Sequence, residues 1–111
     1  MQDERIKVWL EDIRMAIEEI NDFIRGMDEY NFENDLKTRK AVERNITIIG
    51  EAMDRILKSS PGIAITDSRK IVNTRNRIMH GYESVSLNSV WLIIQNSLPV
   101  LYKEVKELLA E

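Results

Sequence analysis

The chain has 111 residues, 43% of them hydrophobic and 32% charged, with a net charge of −3; this is room for one domain over residues 1–111, with a globular balance rather than a disordered one. Cysteine is absent, which excludes disulfides and thiolate chemistry. No apolar run approaches the roughly 20 residues of a membrane span, and the polar start Met1-Gln2-Asp3-Glu4-Arg5 lacks the basic-then-apolar pattern of a secretory signal, so a cytoplasmic protein with no membrane association is expected.

Charge is unevenly spread. Residues 1–35 carry four bases and eleven acids, residues 36–58 six bases and three acids, and residues 59–82 four bases and one acid; the remainder is acidic again. A basic middle on an acidic chain reads either as a phosphate-binding face or as solvated helix faces of mixed charge.

Four helical segments follow in order. Ile6, Leu10, Ile13, Ile17, Ile20 and Ile24 recur at alternating four- and three-residue spacing, one apolar stripe, which Gly26 ends as a C-cap. A second helix starts near Asn34-Asp35, carries Val42, Ile46, Ile49, Met53 and Ile56, and stops at Ser59-Ser60-Pro61-Gly62. The third starts near Thr66-Asp67-Ser68, which are N-cap residue types, and runs to Gly81. The fourth carries Leu87, Trp91, Ile94, Leu98, Leu101, Val105 and Leu108, and Pro99 removes a backbone donor inside it, which predicts a kink or a split. No segment alternates as a strand does. The expected fold is all-α, an up-and-down bundle of four helices with the last kinked at Pro99.

The third helix breaks its own pattern. Its stripes read Ile71, Arg75, Ile78, Tyr82 and Val72, Asn76, Met79, so Arg75 and Asn76 occupy apolar phase. A half-buried arginine costs free energy unless something pairs with it; it marks either a structural ion pair or a functional site. His80, the only histidine, lies four residues after Asn76 on the same face. Gly81 ends the helix there, where the helix dipole favours protonated imidazole and Arg75 and Arg77 oppose it. By itself, a lone histidine near a helix end is usually just a surface residue.

The run Arg75-Asn76-Arg77-Ile78-Met79-His80-Gly81-Tyr82 resembles the R-N-R-hydrophobic-x-H-G-Y form of the R-x4-H-x-Y signature in HepT-like ribonuclease toxins of the HEPN superfamily. Residues 41–52, ending Ile48-Ile49-Gly50-Glu51-Ala52, are similar to that family's second-helix block, and Val90-Trp91 and Leu98-Pro99 to its final helix. Ile65-Thr66-Asp67-Ser68 stands where the family often has a Pro-Trp pair, a departure that touches packing at the helix start.

The resemblance implies a HEPN-like bundle and a metal-independent endoribonuclease that needs no cofactor and takes RNA as substrate. It also implies a homodimer with both motifs facing one cleft, and an MntA-like minimal nucleotidyltransferase as antitoxin. The tyrosine of the motif is the residue modified by AMP there, which points to Tyr82 as a nucleotide-bearing switch; the lesser alternative is a packed core residue, since Tyr82 continues the Ile71–Arg75–Ile78 stripe. The chemistry suits the residues: metal-free RNA cleavage by the 2′-OH needs a proton acceptor and donor near neutrality, the range of imidazole. It also needs a fixed positive fork on the phosphoryl oxygens. His80 is therefore assigned acid/base work, Arg75 phosphate binding and transition-state stabilisation, Asn76 orientation of His80 or a phosphate oxygen, and Arg77 the RNA backbone. Glu51 and Asn45 either line the cleft or pair with Arg75. The rival reading is a non-catalytic helical partner of the nucleotidyltransferase. One histidine and no cysteine leave only generic acids as metal ligands.

Overall fold

The computed structural model describes residues 3–79 and 87–111, and all regular structure in them is helical. Helix α1 spans Glu4–Phe23, opened by Asp3, whose carboxylate accepts from the Arg5 N–H, the usual neutralisation of a helix's unpaired first donors. Its buried stripe follows the predicted spacing through Ile6, Leu10, Ile13, Ile17 and Ile20, with Ala16 beside it, while Ile24, the last expected member, is itself the C-cap in place of Gly26 and only partly buried. The chain leaves α1 through a turn at Gly26 with φ 78°, a left-handed conformation that glycine adopts without a Cβ penalty.

A short helix, α2, Glu29–Glu33, follows. The apolar periodicity gave no sign of it, because five residues are too few to show a stripe. Asp28 and Asn31 form a reciprocal capping box, which supplies local hydrogen bonds that a helix this short needs. Its one buried side chain, Phe32, packs against Trp91 with ring centroids 5.4 Å apart.

Helix α3, Leu36–Ser59, is capped by Asp35 as expected and is the centre of the bundle, packed against α1 on one side and α4 on the other. Val42, Ile46, Ile49, Met53 and Ile56 are all buried, and each such side chain removed from water contributes roughly 1.5–3 kcal/mol. After Ser60 the chain crosses to α4, Ser68–Met79, through a segment that α6 holds down: the Thr66 N–H and hydroxyl both donate to the Glu104 carboxylate, at 3.0 and 2.7 Å. Asp67 takes φ 57° at the turn into the helix.

The final helical run is split, as Pro99 predicts, although the break precedes the proline. α5, Leu87–Leu92, passes through a π-type turn at Ile93–Ser97 into α6, Leu98–Leu109, with Pro99 in the first turn of α6. A proline cannot donate to the carbonyl four residues back and its ring crowds that carbonyl; here that residue is Gln95, inside the π turn. The widened turn puts the defect upstream and leaves Pro99 where helices accept it. It also alters the expected stripe: Val90 is buried, with Ile94, Leu98, Leu101 and Val105, whereas Trp91 sits at the edge of the core against Phe32. The expectation of four helices is thus met by the long elements, with α2 added and the fourth helix in two pieces. No helix among the described residues is long and apolar enough to cross a membrane.

Candidate functional site

Two faces of α4 meet different neighbours, and they divide the residues singled out by the sequence. One face lies on α3. Arg75 is placed there by Gly50: a Cβ on Gly50 would overlap the Arg75 Cβ and come within 2.8 Å of its Cγ. The absence of a side chain at this position lets the arginine stem lie directly against the α3 backbone. Gly50 stands in the Ile-Ile-Gly-Glu-Ala block, but a glycine within a helical pattern does not say which residue approaches it; only packing reveals that it makes room for Arg75.

The Arg75 guanidinium is incompletely satisfied. Its Nη1 donates to Asn76 Oδ1 at 2.8 Å, its Nε is buried without a hydrogen-bond partner, and no carboxylate among the described residues pairs with it. Arg39 also has a sealed, unpartnered Nε, yet its Nη1 donates to the Glu33 carbonyl at the end of α2, where a helix's negative end accommodates a cation. Arg75 has no such structural errand. Asn76 accepts from Arg75 through its carbonyl oxygen, and its amide donors bond to no other described residue.

Neither expected role of Asn45 is found. Asn45 is buried and its amide donates to the Ala16 carbonyl at 3.3 Å and to Glu19 Oε1 at 3.0 Å; it joins α3 to α1, neither lining a cleft nor pairing with Arg75. A polar residue in the stripe was legible, but its partner lies 29 positions away, beyond what spacing reveals. Glu51 likewise does not meet Arg75; it pairs with Arg55 at 3.2 Å, one turn along α3.

The other face of α4 opens onto a groove of about 590 Å³, closed on the far side by α5 and the π turn. Arg77 lines it, two residues and therefore more than half a helical turn from Arg75. The structure thus brings Arg75 and Asn76 together and sends Arg77 elsewhere. Met79, at the end of α4, is 55% exposed. His80 and Tyr82 lie outside the described residues.

The family of helical proteins described as ribonuclease HepT-like matches residues 13–108 of this chain. The chain belongs to that HepT-like family. Similar proteins include one from Thermococcus cleftensis that bears the name ribonuclease HepT, 34% identical over 99 residues that cover 86% of this chain and 87% of the relative. Two from Methanocaldococcus jannaschii carry RNase names; one is 27% identical over 115 positions, covering 100% of this chain and 93% of its own length. The other is 28% identical over 110, covering 96% and 92%. No solved structure matches. The HepT-like membership agrees with the all-helical architecture of the described residues.

Proposed function

We propose that this chain is a cytoplasmic endoribonuclease, a single HepT-like domain that cuts RNA without metal and serves as the toxin of a toxin–antitoxin pair. The observation that carries the reading is Arg75, a half-buried guanidinium whose stem lies on Gly50 of α3, with a sealed Nε and, among the described residues, a neutral amide as its one hydrogen-bond partner and no carboxylate. A cation kept from its own acids on a ribonuclease scaffold is suited to an anionic substrate.

In the proposed reaction His80 accepts the proton of a ribose 2′-OH, whose oxygen bonds to the adjacent phosphorus. The bond from phosphorus to the 5′-oxygen breaks, leaving a 2′,3′-cyclic phosphate and a 5′-OH that takes up a proton. Arg75 holds the phosphoryl oxygens as their charge grows, and Asn76, its carbonyl side engaged by Arg75, donates to a phosphate oxygen or orients the imidazole. With one histidine per chain, two facing subunits would supply a separate acid and base, and the exposed Met79 beside the motif favours such pairing. An MntA-like nucleotidyltransferase would silence the enzyme by adding AMP to Tyr82, whose anionic phosphate would compete with RNA phosphate for the arginines of the site.

The test is to incubate the pure protein with total cellular RNA in EDTA and sequence the new ends. Cyclic-phosphate and 5′-OH ends are expected, and His80→Ala should abolish them while its helical circular dichroism persists. RNA left intact by the parent protein, or cut equally by the variant, would overturn the reading.

A further inference from the structure

The groove on the second face of α4 has features the cleavage chemistry leaves unused. Lys70, Asn73 and Arg77 form one stripe along its wall, and Lys70 and Arg77, two turns apart, are separated by about 10.5 Å of helical rise, enough to meet neighbouring phosphates of an extended strand. Among the described residues no acid lines the groove, and neither base forms an ion pair with any of them. Asn73 lies between them and Asn96 faces them from the π turn. Neither amide bonds to another described residue, whereas Asn34, Asn45 and Asn88 donate to internal acceptors and Asn31 and Asn76 accept through their carbonyls. Leu92 and Ile93 supply apolar lining. The π turn contributes Ile93 and Asn96, and such turns, which sacrifice regular helix hydrogen bonding, recur at functional positions.

We propose that this groove is a subsite for single-stranded RNA beside the cut, Lys70 and Arg77 holding neighbouring phosphates while Asn73 and Asn96 read the base between them. The inference rests on the ribonuclease reading above and adds a specificity element to it. Two fixed cations address the backbone, which carries no sequence information; unspent amides above an apolar surface address a base, and an asparagine amide matches the paired donor and acceptor on the edge of adenine. The volume of about 590 Å³ falls within the range of small-ligand sites, roughly 300–1,000 Å³.

The test measures binding of oligoadenylate and oligouridylate of equal length to protein carrying His80→Ala, over a series of salt concentrations, with cleavage-site profiles taken on protein that keeps His80. Lys70→Gln should flatten the slope of log affinity against log salt by about 0.7, one lost phosphate contact on a single strand. Asn96→Ala should leave that slope alone, shrink the preference for oligoadenylate by roughly fivefold or more, and broaden the base composition beside the cuts. Unchanged slope and unchanged preference, with RNA still bound and cut, would overturn the subsite and leave the ribonuclease reading standing. If the parent protein neither binds nor cuts RNA, both fall. Sedimentation of the same variants checks the competing use of the face: conversion of a dimer to monomers by Lys70→Gln or Asn96→Ala would make the groove a subunit contact and overturn the proposal.

Discussion

Arg14 on α1 and Arg75 on α4 are both partly covered by helix packing, yet their surroundings are opposite. Arg14 is gripped from both sides on its own helix, by Glu11 at 2.6 Å and Glu18 at 2.9 Å. Glu18 also accepts from the Tyr102 hydroxyl of α6 at 2.7 Å, and Lys106 lies 4.9 Å from the Tyr102 ring. The hydrogen bonds it donates to Glu11 and then to Glu18 hold the Arg14 cation even more firmly protonated than usual. The pattern extends along α1 and just beyond it, where Arg5, Lys7 and Arg25 each have an acid within reach. α4 carries Arg69, Lys70, Arg75 and Arg77 and no acid, and none of the four has a carboxylate partner among the described residues. Charge on α1 is spent inside the molecule; charge on α4 is left to attract something outside it. Net charge conceals this division, because the surplus acids of the first helix offset the unpaired bases of α4 in the sum.

The largest expected effect separates the two arginines directly. Arg75→Met keeps most of the stem on Gly50 but removes the fork, so cleavage should fall a hundredfold or more while the thermal midpoint stays level or rises, no buried ion pair having been broken. Arg75→Lys should recover little activity, the planar geometry being lost. Cleavage kinetics and melting curves on the same preparations check both, and a variant that cuts RNA like the parent would end the special status of Arg75.

Gly50→Ala comes next. On helix propensity alone it should stabilise by up to about 1 kcal/mol; because its Cβ collides with Arg75, we expect net destabilisation of about 1–3 kcal/mol and reduced cleavage. A higher urea midpoint with intact activity would show that the close approach of α3 and α4 does not position Arg75.

Arg14→Met is the converse of Arg75→Met: a modestly lower thermal midpoint with cleavage unchanged. A large loss of activity would mean that the α1 network reaches the site.

The smallest effect sharpens the comparison by pH. The Tyr102 hydrogen bond, and then that from Arg14, hold the Glu18 carboxyl below its ordinary 4.5, while the hydrogen bond to Glu18 pushes the Tyr102 phenol above its ordinary 10.0. A lowered carboxyl stabilises the fold above its unfolded value and ceases to do so as pH falls through the folded one. A raised phenol stabilises below its unfolded value and ceases to do so as pH rises past the folded one. The stability difference between the parent and Tyr102→Phe should therefore be constant through the neutral range and shrink at both extremes, as denaturation midpoints across pH would show. A difference that grows toward acid would refute the assignment.

Sequence periodicity alone determined the helical class, the long stripes of α1 and α3, the cap at Asp35, a break near Pro99 and the anomaly of Arg75 and Asn76 in apolar phase, because each is encoded within one or two turns of chain. The family resemblance was legible for the same reason, being carried by contiguous residues. Only tertiary structure decided what depends on contacts between distant segments. It showed Gly50 as the floor beneath Arg75, Asn45 as a partner of α1 rather than of Arg75, and Glu51 turned toward Arg55. It placed the stress of Pro99 in the preceding π turn, and Arg77 in a groove with α5. It also formed α2, whose single buried phenylalanine is too short a signal for any period to reveal. Residue spacing fixes which side chains share a face of a helix; which face a neighbouring helix covers, and which charges are thereby paired or left free, is settled by close packing and the cost of burying an unpaired polar group.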